Sequence, residues 1–412
     1  MNRSVSAGWY YGYVIVAVCF SLQAVGWGIF NSLGVFFNPL MTEFGWPRAL
    51  VASTMSIGML VYGITAILLG RLSDTYGPRL TMTICGLFLG GGFMLMSRVT
   101  TIWHMYFALS LIAGIGVGGT DVVLLSTTTR WFVRARGLMI GIVKVGTGIG
   151  MLIMPLLINY LVSNYGWRTA FFYLGVLSLV GFVIGSQFLV RDPEKKGVAV
   201  DGIAGEIPLN GQAVEQGMKL NRAMRTWPFW TICGSYFIII FCLSTILMHV
   251  IPHAIDLGIS SASAANILAT VGAMSIAGRF IMGGAGDRIG NRPALIICFG
   301  CVTLGMAWLQ FADNLWMLYF FASVHGFAHG GFFALIAPIL ADYFGTRDHG
   351  VILGIVIFFS TLGGAIGPIL AGYMFDVTGS YGLIFLILNA LSVVGLFAAY
   401  SLRPDITYEY TA

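Results

Sequence analysis

Charged side chains are scarce in this sequence. Only 9% of its 412 residues are Asp, Glu, Lys or Arg, whereas about a quarter are charged in an ordinary soluble domain. Hydrophobic residues make up 58%, and the mean hydropathy is +0.89. This imbalance excludes a soluble globular protein and predicts a chain that is embedded in a lipid bilayer.

Motifs that carry catalytic chemistry are also missing. The sequence has no Gly-x-x-x-x-Gly-Lys phosphate loop and no His-Glu-x-x-His pair, which disfavours an enzyme and removes an ATP-driven pump. All six cysteines fall in apolar runs and are typical of small apolar residues with free thiols. Cys298 and Cys301 form a Cys-x-x-Cys pair but lack the further His or Cys ligands of a metal site. We therefore expect neither a cofactor nor a metal ion.

Long apolar runs occupy most of the chain. Each approaches or exceeds the length of about 20 residues that crosses a bilayer as a helix, and none shows the alternation of a membrane β-barrel. The first run lacks a small-residue cleavage pattern, so we interpret it as a retained helix and not as a signal peptide. Twelve spans are predicted, at residues 10–38, 48–70, 79–98, 102–131, 137–162, 167–190, 228–256, 262–286, 293–312, 314–344, 349–375 and 381–402.

Basic residues predict the orientation of these spans. With both termini in the cytoplasm, sixteen of the 21 Lys and Arg residues lie on the cytoplasmic side and three lie outside, which leaves Lys144 and Arg279 within spans. This distribution follows the positive-inside rule. The net charge of +5 therefore indicates topology in a cell or plasma membrane and not nucleic-acid binding.

A polar break divides the spans six and six. It predicts an N-terminal bundle at residues 1–190, a cytoplasmic linker at 191–227 and a C-terminal bundle at 228–412. GRLSDTYGPR at 70–79 also matches GGAGDRIGNR at 283–292, at an offset of 213. An internal repeat of half the chain length predicts two pseudo-symmetric six-helix bundles, as in carriers that alternate access around a midplane site.

The repeated loop carries a resemblance to a known family. Its Gly-x-x-x-Asp-x-x-Gly-x-Arg pattern is similar to the signature loop of the major facilitator superfamily. IFNSLGVFF at 29–37 and GIGVGGTDVVLLSTTTRWFVRARGLMIG at 114–141 resemble the corresponding parts of monocarboxylate transporters, which are related to the oxalate:formate antiporter.

This resemblance implies an all-α membrane protein with twelve transmembrane helices. It implies a secondary carrier for a small monocarboxylate such as lactate, with proton cotransport favoured over exchange of organic anions. An exporter of apolar drugs is a further alternative, but it would not require a deeply placed arginine.

Arg279 is predicted to lie deep within a membrane span. It lies eight residues from Asp287, which is about 12 Å along a helix. A charge at this depth is costly unless it faces a cavity or a partner, and a guanidinium binds a carboxylate through two parallel hydrogen bonds. A structural pair or a snorkelling side chain is the alternative, but no acid stands at Ser275 or Ile276. The resemblance places a substrate-binding arginine at the same position.

Two positions depart from the mammalian-type family pattern. Ser275 stands where those transporters have an aspartate, and Asn31 stands where they have a lysine. Both residues are expected to line the substrate site. The family's usual proton-coupling carboxylate is therefore missing.

Asp121 and Lys144 are candidate replacements for that carboxylate. Folding the hairpin about residue 133 brings the two to a similar depth in spans four and five. They are predicted to form either a structural salt bridge or a pair that changes partners during transport.

Histidines are the other candidates, because an imidazole changes charge between pH 5 and 8. His249 in span seven is expected both to contact substrate and to couple protons. His325 and His329 share one face of span ten, although the glycines around them predict tight packing. Phe358 is expected to form part of the apolar wall of the substrate site.

The repeated loops have a separate predicted role. Asp74 and Arg79, with Asp287 and Arg292, are expected to latch the bundles on the cytoplasmic side. Helix capping is the alternative role for these polar residues.

Overall fold

The computed structural model describes residues 10–202 and 217–402, and these ranges are almost entirely helical. The chain termini and the centre of the predicted linker lie outside the described residues. The helices are α1 Tyr11–Asn31, α2 Phe37–Phe44, α3 Arg48–Tyr76, α4 Pro78–Met96, α5 Ile102–Met105, α6 Gly114–Trp131, α7 Arg136–Phe188, α8 Leu220–Ala223, α9 Trp227–Asp256, α10 Ser261–Ile289, α11 Asn291–Leu309, α12 Leu315–Phe344, α13 His349–Thr378 and α14 Gly382–Ser401.

Eleven helical segments in the described ranges are long and apolar enough to cross a membrane. Twelve spans are predicted from the sequence, and the difference arises at α7, which is 53 residues long. Gly166 interrupts α7 with φ 78° and ψ 159°, a backbone conformation that glycine adopts without steric cost. The two legs of α7 correspond to the predicted fifth and sixth spans, and the all-α membrane fold is confirmed.

Contacts divide the chain into two compact units. The first comprises Met1–Gly217 and Thr346–Gly354, and the second comprises Met218–Gly345 and Ile355–Ala412. The domain boundaries at 190/191 and 227/228 remain a prediction.

Glycines bring α1 and α7 together in the first unit. A Cβ on Gly146 would overlap the carbonyl oxygen of Phe20, and one on Gly150 would overlap that of Ala24. Only residues without a side chain allow two helix backbones to approach so closely. This contact places the polar side chains of the two helices opposite each other.

The second unit repeats this device between α10 and α12. A Cβ on Gly326 would overlap the carbonyl oxygen of Val271. One on Gly330 would overlap that of Ser275 and lie 2.8 Å from the backbone nitrogen of Arg279. The tight packing predicted around the histidines of span ten is therefore present, and it fixes α12 against the turn of α10 that carries Arg279.

Candidate functional site

A buried ionic network lies in the first unit. The Lys144 ammonium donates to Oδ1 of Asp121 at 2.7 Å, so the predicted pairing is present. Lys144 is 3% exposed and Asp121 is 6% exposed. The pair forms because α6 and α7 are consecutive antiparallel helices, and the two residues lie ten and eight positions from the ends that the short connection joins.

Three polar residues complete this network. Gln23 donates to the same carboxylate oxygen at 2.8 Å, and the Tyr62 hydroxyl donates to the other at 3.0 Å. Thr147 in turn donates to the Gln23 amide oxygen at 2.9 Å. Helices α1, α3, α6 and α7 therefore all contribute to one site. Both oxygens of the Asp121 carboxylate are hydrogen-bonded, as a buried charge requires.

The network can respond to a change of protonation. A proton on Asp121 would remove the ionic attraction to Lys144, while Gln23 and Tyr62 could still donate to the neutral acid. Gln23 and Tyr62 would also keep their hydrogen bonds to the Asp121 carboxylate if the Lys144 ammonium paired with another anion. The arrangement is therefore compatible with both alternatives stated above, a structural pair and a pair that changes partners.

Arg279 lies in the second unit, in the middle of α10. Its side chain is 5% exposed, and that of Ser275, one turn earlier, is 3% exposed. The guanidinium carbon lies 5.9 Å from the centroid of the Phe333 ring on α12, which is within the range of a cation–π contact. Phe333 of α12 therefore contacts this cation across the α10–α12 interface.

His329 occupies the adjoining turn of α12. Its Nδ1 lies 2.8 Å from the Ser275 hydroxyl, and its ring centroid lies 5.0 Å from that of Phe333. The structure thus brings His329 to Ser275, one turn before Arg279. His325, one turn away, is fully buried, and neither of its ring nitrogens has a hydrogen-bond partner among the described residues.

His249 is held by a different group of residues. Its Nε2 lies 3.0 Å from the Pro368 carbonyl oxygen, and its Nδ1 lies 3.2 Å from the Tyr381 hydroxyl. Because a carbonyl only accepts, Nε2 of the neutral ring carries the hydrogen and Nδ1 accepts from the tyrosine. The ring is half-buried, and both nitrogens are engaged by α13 and the start of the α14 segment.

Two other predicted site residues, Asn31 and Phe358, make local contacts. Asn31 is exposed at the end of α1, and its amide donates back to the Trp27 carbonyl oxygen at 2.9 Å. Phe358 is half-buried and packs edge-on against Phe359 at 5.9 Å. Their roles in binding stay predictions.

Asp74 makes its contacts within the first unit. Its carboxylate accepts from Arg130 at 3.1 Å and from the backbone N–H groups of Gly350 and Val351 at 3.1 and 2.9 Å. Those two N–H groups belong to the first turn of α13, where a helix favours an anion. Arg79, the expected basic partner in the same loop, instead donates to Gln187 at 2.7 Å.

In the second unit, Arg292 donates to the Tyr400 carbonyl oxygen at 2.6 Å. Asp287 lies two residues before the end of α10. The latch role of the four loop residues stays a prediction.

Sequence reasoning missed Gln23, Tyr62, Thr147 and Arg130. Gln23 could have been found, because it is a strongly polar side chain in the middle of the first apolar run. Tyr62 and Thr147 carry no such signal, since hydroxyl residues are common in membrane helices. Among residues 10–202 and 217–402, no group of three His, Cys, Asp or Glu side chains is placed to hold a metal ion. The cysteines in these ranges are free thiols.

Known proteins resemble this chain along most of its length. Monocarboxylate transporter 13 of Bos taurus is 27% identical over 394 residues, which cover 94% of this chain and 88% of that protein. Monocarboxylate transporter 11 of Homo sapiens is 27% identical over 408 residues, which cover 95% and 82%.

Solved structures share the fold. The proton:xylose symporter XylE, solved with 6-bromo-6-deoxy-D-glucose, has a TM-score of 0.77 at 16% identity, with 95% of each chain covered. The human organic anion transporter MFSD10 has a TM-score of 0.73 at 16% identity, with 94% of this chain and 99% of that chain covered.

The Major Facilitator Superfamily matches residues 16–254 and 232–409, and so both halves of the chain. The family predicted from the repeated loop is confirmed, and the relatives named above are transporters, as the resemblance implied. The chain belongs to the major facilitator superfamily of multi-pass membrane transporters.

Proposed function

We propose that the protein is a secondary carrier of small monocarboxylates, such as lactate, that moves its substrate with a proton by alternating access. The observation that carries this proposal is the buried guanidinium of Arg279, placed beside Ser275 and Phe333 in the middle of a membrane helix. The names of the sequence relatives support the substrate class.

Arg279 suits a carboxylate for physical reasons. A guanidinium keeps its charge at any physiological pH, and its planar donors match the two carboxylate oxygens. Phe333 adds an apolar surface next to the cation, which favours an anion with a short organic part. Arg279 is the one cation deep within α10, and a single cation favours a monocarboxylate substrate over a dicarboxylate.

Asp121 with Lys144, and His249, are the proposed proton-coupling groups. The Asp121 carboxylate meets the ammonium at 2.7 Å, so a proton gained by Asp121 or lost by Lys144 would change the pairing. His249 is a half-buried imidazole in the second unit. Both termini of the chain are proposed to lie in the cytoplasm of a plasma-membrane protein, in accordance with the loop charges.

Transport by reconstituted protein tests the role of Arg279. Radiolabelled L-lactate counterflow is measured in proteoliposomes containing wild type, Arg279→Lys or Arg279→Gln. We expect no transport by the glutamine variant. The lysine variant loses a charged hydrogen bond of about 1.5–3 kcal/mol, so its affinity should fall roughly 10- to 100-fold.

Arg288→Gln is the matched control, because Arg288 is exposed at the end of the same helix. It should transport like wild type. Correctly inserted Arg279→Gln with the rate and affinity of wild type would contradict the proposed binding site.

A second measurement separates symport from exchange of organic anions. We expect a pH gradient, acid outside, to drive lactate accumulation into vesicles that contain no counter-anion. An exchanger would accumulate lactate only in vesicles preloaded with an anion, and that outcome would replace symport by exchange.

A further inference from the structure

One face of α12 carries two histidines in different environments. His325 is fully buried and packs its ring 5.2 Å from that of Phe321. His329, one turn later, is half-buried, as is Phe333 another turn on. The other residues between 328 and 341 are buried. His329 and Phe333 therefore provide the accessible surface of this stretch of α12.

Ser275 connects His329 to the arginine-bearing helix. Its hydroxyl lies 2.8 Å from Nδ1 of the imidazole. A hydroxyl both donates and accepts, so this hydrogen bond survives when the ring gains a proton: Ser275 donates to the neutral ring and accepts from the charged one. The site can therefore hold His329 in one place through a change of charge.

Phe333 lies beside both basic groups. Its ring centroid is 5.0 Å from the centroid of the His329 ring and 5.9 Å from the guanidinium carbon of Arg279. The imidazole and the guanidinium thus contact the same aromatic ring, on helices whose backbones are fixed together at Gly330. The two distances place the imidazole and the guanidinium at most about 11 Å apart, and charges interact over such a separation where water does not screen them.

The helices packed against this stretch of α12 also carry titratable groups. On α9, Tyr236 donates to the Phe332 carbonyl oxygen at 3.2 Å. On α11, the Cys298 sulfur lies against Gly331. On α10, Asp287 is two turns beyond Arg279. Tyrosine and cysteine are neutral near pH 7, whereas Arg279 carries a fixed positive charge.

We propose that His329 is a further proton-binding group, coupled to anion binding at Arg279, and that Ser275 orients its ring. This inference rests on the proposed function and specifies its coupling. When no anion is bound, the positive charge of Arg279 disfavours protonation of His329. A carboxylate bound to Arg279 neutralises that charge and removes the effect. By thermodynamic reciprocity, a proton on His329 then strengthens anion binding by the same factor.

In the transport cycle, His329 takes the proton from the aqueous phase on one side of the membrane and returns it on the other. No covalent bond is made or broken beyond this N–H bond.

The pH dependence of binding tests this inference. Equilibrium binding of radiolabelled L-lactate to the full-length purified protein is measured from pH 5.5 to 8.5. With one linked proton, the wild-type dissociation constant should rise about tenfold per pH unit above the midpoint. In His329→Gln it should be nearly independent of pH, and gradient-driven accumulation should be lost relative to counterflow.

His325→Gln is the matched control, one turn away on the same helix, and should keep the wild-type slope. Ser275→Ala keeps the imidazole and should keep the slope with a displaced midpoint. His329→Asn offers a smaller amide if the glutamine variant does not fold. Ser275→Asp in the His329→Gln background introduces a protonatable carboxylate one turn before Arg279, and it should restore pH-dependent binding.

A wild-type slope in His329→Gln or His329→Asn would overturn the role of His329. So would loss of the slope in a folded His325→Gln protein whose His329 is intact. Failure of the proposed function has a different signature, in which wild type neither binds nor exchanges lactate at any pH.

Discussion

Removal of Lys144 should leave the Asp121 carboxylate buried without its counter-charge. At 2.7 Å, the attraction between two unit charges is about 6 kcal/mol at an effective dielectric constant of about 20. Desolvation of the two ions offsets several kcal/mol of that value. For Lys144→Met, breaking the pair should therefore cost about 3–5 kcal/mol of unfolding free energy.

A double-mutant cycle isolates the ionic part. Asp121→Asn keeps an oxygen that can accept from Tyr62 or Gln23 but removes the charge. In Asp121→Asn/Lys144→Met neither charge remains, so the double variant should be more stable than Lys144→Met alone. We expect a coupling energy of about 3 kcal/mol, near the upper end for residues in contact.

Reversible unfolding in mixed micelles with increasing SDS gives the free energies of the four proteins, followed by tryptophan fluorescence. Lys195→Met is the control, because Lys195 is exposed outside the membrane helices, and it should unfold like wild type. Additive effects of the two single changes would refute the idea that the buried pair stabilises the first unit.

Three further predictions concern other parts of the structure. Gly330→Ala should force α10 and α12 apart, lower the free energy of unfolding by about 1–3 kcal/mol and abolish lactate binding. Gly272 has open space around it, so Gly272→Ala should leave thermal stability and binding unchanged. Equal behaviour of the two variants would show that the close approach is unimportant. Asp74→Asn should weaken three hydrogen bonds and lower stability by about 2 kcal/mol, measured by thermal unfolding against the exposed Asp376→Asn, and an unshifted midpoint would count against the contact. If Asp121 or His249 carries the proton, Asp121→Asn or His249→Gln should keep counterflow and lose gradient-driven uptake; full accumulation by both would remove these two residues from coupling.

The sequence predicted those parts of the molecule that depend on one helix or one hairpin. The spans follow from apolar runs, and Asp121 meets Lys144 because consecutive antiparallel helices place them at equal depth. The depth of Arg279 likewise follows from helical rise alone. The break at Gly166 coincides with the predicted boundary between the fifth and sixth spans.

Contacts between distant helices could not be derived in this way. Gln23 and Asp121 are 98 positions apart, and Arg130 lies 56 positions from Asp74. Which faces meet depends on helix rotation, and glycine contacts such as that of Gly330 set this rotation. For the same reason, the sequence favoured His249 over His329, although the structure brings His329 to Ser275.

The short connection between α6 and α7 has a consequence for how the protein enters the membrane. Only residues 132–135 separate the two helices, and insertion of a single helix with a charge at its centre costs about 2.5–3.5 kcal/mol. If α6 entered alone, Asp121 would face lipid while Lys144 was still being synthesised 23 residues behind it. We therefore expect the translocon to release α6 and the first leg of α7 together, as a hairpin whose charges have already met.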